Sequence, residues 1–552
     1  MKADTLGMHY TIARPADYDI AYTVTLPNYD SSSYVNQGMF LENQRKILTS
    51  IDPEQLTPED ALSHELLINS MNQQMAGQEF PFYSEPLSPG SGMVSQLPIL
   101  LAEYYFLDKR DVEDYLALLS CIPSYFSSIE DYERTRARSG LFMPAYSSEK
   151  IIRQCSSILT PESIRDHSHF LMTTFQDRIE KLSETAVLTS AEMEAYTSEN
   201  KRILLEYVIP SYQKLSNTVK ELQASSQNEN GLCYYPKGRE YYEYLVKQTT
   251  GSAKTIPEIK SLLQEQLRKD YTELIRLYDS LKGCGDSSPI RFPFQDPSLM
   301  LQDLETRMKK AFPPLTATTD FIPACTVKKV SPSLADYVSP AFYLTPPIDH
   351  MDENSIYINE KSILDDLELY TTLAHEGYPG HLYQTLSFQQ LSFPDPVRNL
   401  LFYGGYTEGW ALYTENYSYD YAKELLRANT SHYNTSTDAQ IDLYRCSRDL
   451  QLCMYSILDI GIHYDGLKYE EVYSMLAEFG ITDEETARNI YEYIVEEPAN
   501  YLKYYLGYLE ILETKASYKK ISGSHYSEIS FHKNMLELGP MDFETLRKHL
   551  NQ

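Results

Sequence analysis

Along most of this chain the apolar residues return every three or four positions, a spacing that gathers them on one face of a helix and scatters them across a strand. The clearest stretch runs from about Pro257 to Lys282, where Ile259, Leu263, Leu267, Tyr271, Leu274, Tyr278 and Leu281 form one stripe. Thr255 and Glu258 make a capping-box pattern at its start, with Pro257 in the first turn. Similar stripes cross 57–75, 100–120, 190–224, 361–375, 438–460, 468–478 and 484–513. Alternation with period two is rare, and Ser355-Ile-Tyr-Ile-Asn359 is the best strand. The pattern predicts a mainly α fold with a small β element.

A chain of 552 residues exceeds what one hydrophobic core usually spans, so two packed parts are expected. Pro, Gly and Ser cluster at 81–92, 225–238, 283–298 and 322–348, which read as loops. The break near 225–238 separates an N-terminal helical part, 1–230, from a C-terminal part, 231–552, that carries the chemistry. The two are expected to form one structural unit with a deep cleft.

A formal net charge of −30 disfavours nucleic acid and anionic membrane surfaces as partners, because phosphates are repelled. No run approaches the ~18 apolar residues that a spanning helix needs, so no transmembrane segment is expected. The opening MKADTLGMHY lacks the apolar core of a signal peptide. A cytoplasmic protein, or a secreted or anchored one whose leader has been removed, both fit. The cysteines at 121, 155, 233, 284, 325, 446 and 453 form neither a disulfide framework nor a CxxC pair, and reduced thiols are expected. The 48 tyrosines, against one tryptophan, are expected mostly half-buried on helices with the hydroxyl outward.

Two histidine pairs stand out. His167 and His169, in DHSH, have no helical spacing and no carboxylate pattern, and are read as exposed polar residues. The other pair closes Leu373-Ala-His-Glu-Gly-Tyr-Pro-Gly-His381. A metallopeptidase needs two imidazoles on one ion, a third ligand, and a carboxylate beside the open position. The spacing from His375 to His381 is i to i+6. On a regular helix six residues advance about 600°, leaving the second ring roughly 120° off the first face. Pro379 and Gly380 fall where the chain must depart from regularity. A two-residue bulge or a helix break between Tyr378 and His381 is therefore expected. The alternative is a helix ending at Gly377 with both rings on a surface.

The next segment favours the metal. Twenty-seven residues after His381 comes Glu408, in Thr407-Glu-Gly-Trp-Ala-Leu-Tyr-Thr-Glu415, and a glutamate on a following helix is a common third ligand. Glu415 lies two turns on, placed either to fix the tautomer of a ligand imidazole or to stand as an exposed helix charge. Trp410, the only tryptophan, falls inside this motif.

In HEGYPGHLYQ (375–384) and EGWALYTE (408–415) the chain resembles the zincin-like family grouped as domain of unknown function 885, and most of all its clostridial branch. Further matching pieces are MHYT and LPNYDSS near the N-terminus, YYPKGREYYEYLVKQTTGS (234–252), SPAFYLTPPID (339–349) and NSIYIN (354–359). DIGIH (459–463), EPANYLKYYLGYLEI (497–511) and FHKNMLELGP (531–540) match as well, so the likeness covers nearly the whole chain. The resemblance implies a mostly helical zincin-like fold, one catalytic zinc, and hydrolysis of peptide bonds in short peptides. It supports His375, His381 and Glu408 as ligands and Glu376 as general base. It also implies a leader or short segment ahead of Met1, of lipoprotein type in some similar proteins.

Such a reaction needs an oxyanion donor beyond the metal. His463, four residues after Asp459, is one candidate, with the carboxylate orienting the ring; a buried structural pair is the other reading. Tyr504 is the second candidate, with a packed structural Tyr as the other reading; it lies ahead of Gly507, which lets a substrate or a backbone approach closely. Similar proteins often carry Arg after that glycine. This chain has Tyr508, so Arg448 is the alternative anchor for a peptide C-terminus, or else a surface or ion-paired helix residue. Ser355–Asn359 is expected either as an edge strand that pairs with an extended substrate, with Tyr357 and Asn359 flanking the cleft, or as an ordinary hairpin strand. Two rival functions share this scaffold: hydrolysis of a non-peptide amide at the same metal, and metal-free binding by a helical protein.

Overall fold

The computed structural model describes residues 3–551 except 185–186, 283–289, 316–323, 331, 333–334, 336–337, 352, 392–395, 430 and 432. It is mainly helical, 70% helix and 3% strand. Among the described residues no helix is long and apolar enough to cross a membrane. Cys121, Cys155, Cys233, Cys325, Cys446 and Cys453 are free thiols, as expected, and Cys284 lies outside the described residues.

The chain forms two compact units. The first takes Met1–Tyr241 together with the late segment Lys468–Glu497. Its spine is the helix Lys109–Arg138, opened by a capping box between Asp108 and Asp111. Leu119, Ile122, Phe126 and Ile129 on that helix are wholly buried. The late segment is tied in by charge. Glu496 accepts from Lys150 at 2.9 Å, and Glu497 accepts from the Ser91 backbone N–H at 2.9 Å. His169 departs from expectation. It is buried, with Nε2 on the Ile158 carbonyl at 2.8 Å and Nδ1 accepting from Leu171 N–H, so it ties a turn together, while His167 is exposed.

The second unit takes Tyr242–Val330, Val338–Leu467 and Pro498–Gln552. Its first long helix, Ile256–Leu281, begins with the expected Thr255–Glu258 capping box. The apolar stripe is buried at Ile259 and Leu263, but Tyr271 and Tyr278 farther along are exposed. The stripe expected over 484–513 is interrupted. One helix ends at Glu496 and the next starts at Asn500, because Pro498 has no N–H to donate and Ala499 takes a left-handed conformation at φ 64°.

Three strands form the one sheet among the described residues: β1 (Ala324–Lys329), β2 (Ala341–Leu344) and β3 (Glu353–Ile358). Their order is β1-β3-β2, with β3 parallel to β1 and antiparallel to β2. This decides between the two readings of Ser355–Asn359. β3 holds the expected strand, but it is the central strand, so its hydrogen-bonding edges are taken by neighbours and cannot receive a substrate.

Candidate metal centre

The helix Asp366–Glu376 ends one residue after His375, and a second helix, His381–Gln389, begins at the other imidazole. The departure from regularity is thus a full helix break. Gly380 makes it sterically feasible: a Cβ there would lie 1.8 Å from the His375 carbonyl oxygen and 2.4 Å from that of Ala374. The turn is also clamped from outside. The buried indole of Trp410 donates from Nε1 to the Pro379 carbonyl at 2.9 Å.

Trp410 stands on the helix Gly404–Arg427, which carries Glu408 and Glu415. That helix crosses Asn500–Ser522 at backbone contact. A Cβ on Gly409 would lie 2.3 Å from the Gly507 carbonyl carbon, and one on Gly507 would lie 2.3 Å from the Gly405 oxygen. Gly507 therefore admits a backbone, one of the two approaches its position suggested.

These elements bring His375, His381 and Glu408 together, with one ligand atom from each lying within 4.8 Å of the others. Glu408 Oε2 is 3.6 Å from His375 Nε2 and 3.4 Å from His381 Nε2. The two rings stand nearly perpendicular, 84° apart, with centroids 4.9 Å apart. Two imidazoles and a carboxylate in this arrangement are able to hold a metal ion. No other comparable group of His, Cys, Asp and Glu occurs among the described residues.

The surrounding charges are arranged in pairs. His375 Nδ1 faces Glu415 Oε2 at 3.1 Å, and Arg448 Nε donates to Glu415 Oε1 at 3.4 Å. Glu415 is buried, so it is not an exposed helix charge. Burial works against the His375 imidazolium, but Glu408 and Glu415 outweigh it and hold the ring's pKa at about 10 in the metal-free protein. Burial also opposes the Glu408 carboxylate, yet the two imidazoles keep its pKa well below the usual range. Glu376 is shifted the other way: burial raises its carboxyl, and the backbone N–H of Tyr343 on β2 donates to its Oε2 at 2.8 Å.

The remaining expected residues fall in different places. The ring of Tyr504 lies 6.3 Å from that of His375. His463 is wholly buried in the turn Gly461–Asp465 and stacks on Tyr242, 5.4 Å between centroids. Asp459 accepts from the Tyr242 hydroxyl and from Ala499 N–H, so it fixes the left-handed residue after Pro498. Tyr357 stacks on Phe342 at 4.9 Å. Asn359 is buried, with Nδ2 on the Val338 carbonyl and Oδ1 accepting from Lys361 N–H, and serves to hold a loop. Sequence reasoning missed two neighbours. Tyr343 acts through its backbone, which no side-chain pattern reveals. Lys503 has its Nζ 3.7 Å from Glu408 Oε1, and no local spacing pairs the two because they stand on different helices.

The family model described as "Bacterial protein of unknown function (DUF885)" matches residues 16–550. The chain belongs to this DUF885 family. No curated protein matches it. Among solved structures, this DUF885 protein is similar to a "putative lipoprotein" from Colwellia psychrerythraea, at TM-score 0.82 and 19% identity, covering 99% of this chain and 95% of the other. It is also similar to a "putative lipoprotein of unknown function" from Shewanella oneidensis, at TM-score 0.64 and 17% identity, covering 99% and 96%. Both likenesses concern the fold. The likeness to a "putative oligoendopeptidase F" from Bacillus anthracis is slight, at TM-score 0.35 and 13% identity over 93% of this chain and 92% of the other.

Proposed function

We propose that this DUF885 protein is a zincin-like zinc peptidase that hydrolyses peptide bonds in short peptides. The observation that carries the reading is the convergence of His375, His381 and Glu408 beside the buried carboxylate of Glu376. The donor set fits zinc, which takes imidazole nitrogen and carboxylate oxygen together. Bound zinc lowers the pKa of a ligated water to about 7 and polarises a carbonyl.

The chain's own groups do the rest. Glu376 Oε2 is held by Tyr343 N–H, so Oε1 is the atom that takes the water's proton and passes it to the departing amine. Burial raises this carboxyl and helps it keep the proton between the two transfers. Tyr504, facing His375, supplies the oxyanion donor in preference to the enclosed His463. Glu415 fixes the His375 tautomer, with Nδ1 as donor and Nε2 toward the ligand group. Arg448 steadies Glu415 while its side chain stays 42% exposed, which leaves a cation for a substrate carboxylate. Among the described residues β2 pairs only with β3, and Tyr343 turns its N–H toward Glu376, so β2 is the strand along which an extended peptide would lie.

The test is a mixed peptide library read by mass spectrometry with the zinc-loaded and zinc-stripped protein. Zinc-dependent cleavage is expected. Intact peptides alongside hydrolysis of small non-peptide amides would transfer the same centre to an amidohydrolase.

A further inference from the structure

Glu408 presents its two oxygens to different partners. Oε2 faces both imidazoles, at 3.6 and 3.4 Å, and Oε1 faces Lys503 Nζ at 3.7 Å. Neither group is loosely exposed: the side chain of Glu408 is 17% accessible and that of Lys503 is 24%. Lys503 stands on Asn500–Ser522, the helix brought into backbone contact with Gly404–Arg427 by Gly405, Gly409 and Gly507. Its stem lies against Gly404: a Cβ there would meet Lys503 Cβ at 3.5 Å and Cδ at 3.6 Å. Gly404 is one turn before Glu408 on the same helix face. The glycine seam thus lays the lysine stem along the neighbouring helix and delivers its ammonium to the far oxygen of the carboxylate. The Tyr504 ring, 5.1 Å from Nζ, borders the ammonium on a further side.

We propose that Lys503 is a positioning residue of the metal centre, holding Glu408 Oε1 so that Oε2 is the single carboxylate oxygen offered to the ion. This rests on the metal reading above and adds a division of labour within the third ligand. Without the ammonium, Glu408 is free to rotate and present both oxygens, and a positive charge that opposes an incoming cation is gone. Both changes favour the cation. Replacing Lys503 therefore tightens metal binding, the reverse of what general damage to a site does.

The experiment is zinc affinity by competition with a chromogenic chelator, on the full chain, for wild type, Lys503→Met and Lys503→Arg, with far-UV circular dichroism as the check on folding. Lys503→Met is expected to bind zinc about tenfold or more tightly, since a unit charge a few ångströms away is removed from a poorly solvated site. Lys503→Arg keeps the cation and is expected to stay within about threefold of wild type, its longer side chain still reaching Oε1. Lys503→Gln repeats the neutral test should the methionine variant lose its helical spectrum. Unchanged or weaker zinc binding in a folded neutral variant overturns the role of Lys503 and leaves the metal centre standing. Absence of zinc binding by wild type overturns the metal centre itself, and this assignment with it.

Discussion

Replacing Gly380 by alanine tests whether the helix break is what unites the two imidazoles. The added Cβ would fall 1.8 Å from the His375 carbonyl oxygen and 2.4 Å from that of Ala374, against ordinary contact at 3.4–4 Å. Relief requires a backbone shift of well over an ångström, because the obstructing atoms are main chain and cannot rotate away. His381 is the next residue and moves with it. Overpacking of this kind costs about 1–3 kcal/mol, and the rigid obstacle puts this case near 3. A 1 Å misplacement of reacting groups costs on the order of 100-fold in rate. The assays are thermal unfolding and zinc affinity, followed by peptide turnover where zinc still binds. Gly38→Ala is the control. Its Cβ meets only the end of the flexible Gln78 side chain, at 3.1 Å, on the helix Ser31–Thr49, and alanine there gains up to about 1 kcal/mol of helix propensity. A Gly380→Ala protein as stable and as zinc-avid as the control would refute the reasoning.

Other outcomes follow from the same geometry. Glu376→Gln is expected to keep zinc and lose peptide turnover by about 100-fold or more, since a general base contributes 10²–10⁴; near-normal turnover rejects Glu376 as the base. Glu415→Ala is expected to weaken zinc binding about 10–100-fold through the freed His375 ring, measured by chelator competition, and an unchanged affinity removes its orienting role. The metal-free protein holds the His375 imidazolium to about pH 10, above the ordinary 6.5. Its contribution to stability is therefore full below about pH 6.5 and lost as pH rises toward 10. Zinc binding at pH 7.5 must displace that proton, which calorimetry in buffers of different ionisation enthalpy detects; binding without proton release contradicts the coupling. Trp410 bonds to Pro379 between His375 and His381, so its fluorescence is expected to change on zinc addition. An unchanged spectrum in protein shown to bind zinc contradicts that clamp.

The parts of the fold that could be read in advance are those written in local spacing. The capping box at Thr255 and Glu258 and the helices around it follow from residues within a turn of one another. The need for a break before His381 follows from six residues failing to return to the same helix face. What stayed hidden depends on residues far apart in sequence. Ser355–Asn359 has the alternation of a strand, but whether it lies at an edge is decided by β1 and β2 pairing on both sides. Lys503 reaches Glu408 only because three glycines let two helices touch. Asp459 has the spacing to serve His463, yet its carboxylate meets Tyr242 and the backbone after Pro498.

X-ray absorption at the zinc edge of the zinc-loaded protein measures the ion's neighbours directly. Three protein ligands, two imidazole nitrogens and one carboxylate oxygen, at about 2.0–2.2 Å are expected, with the imidazole outer-shell signal halved in His381→Ala. Sulfur scattering at about 2.3 Å, or an imidazole signal unaffected by removing His381, would place the ion elsewhere and contradict the account.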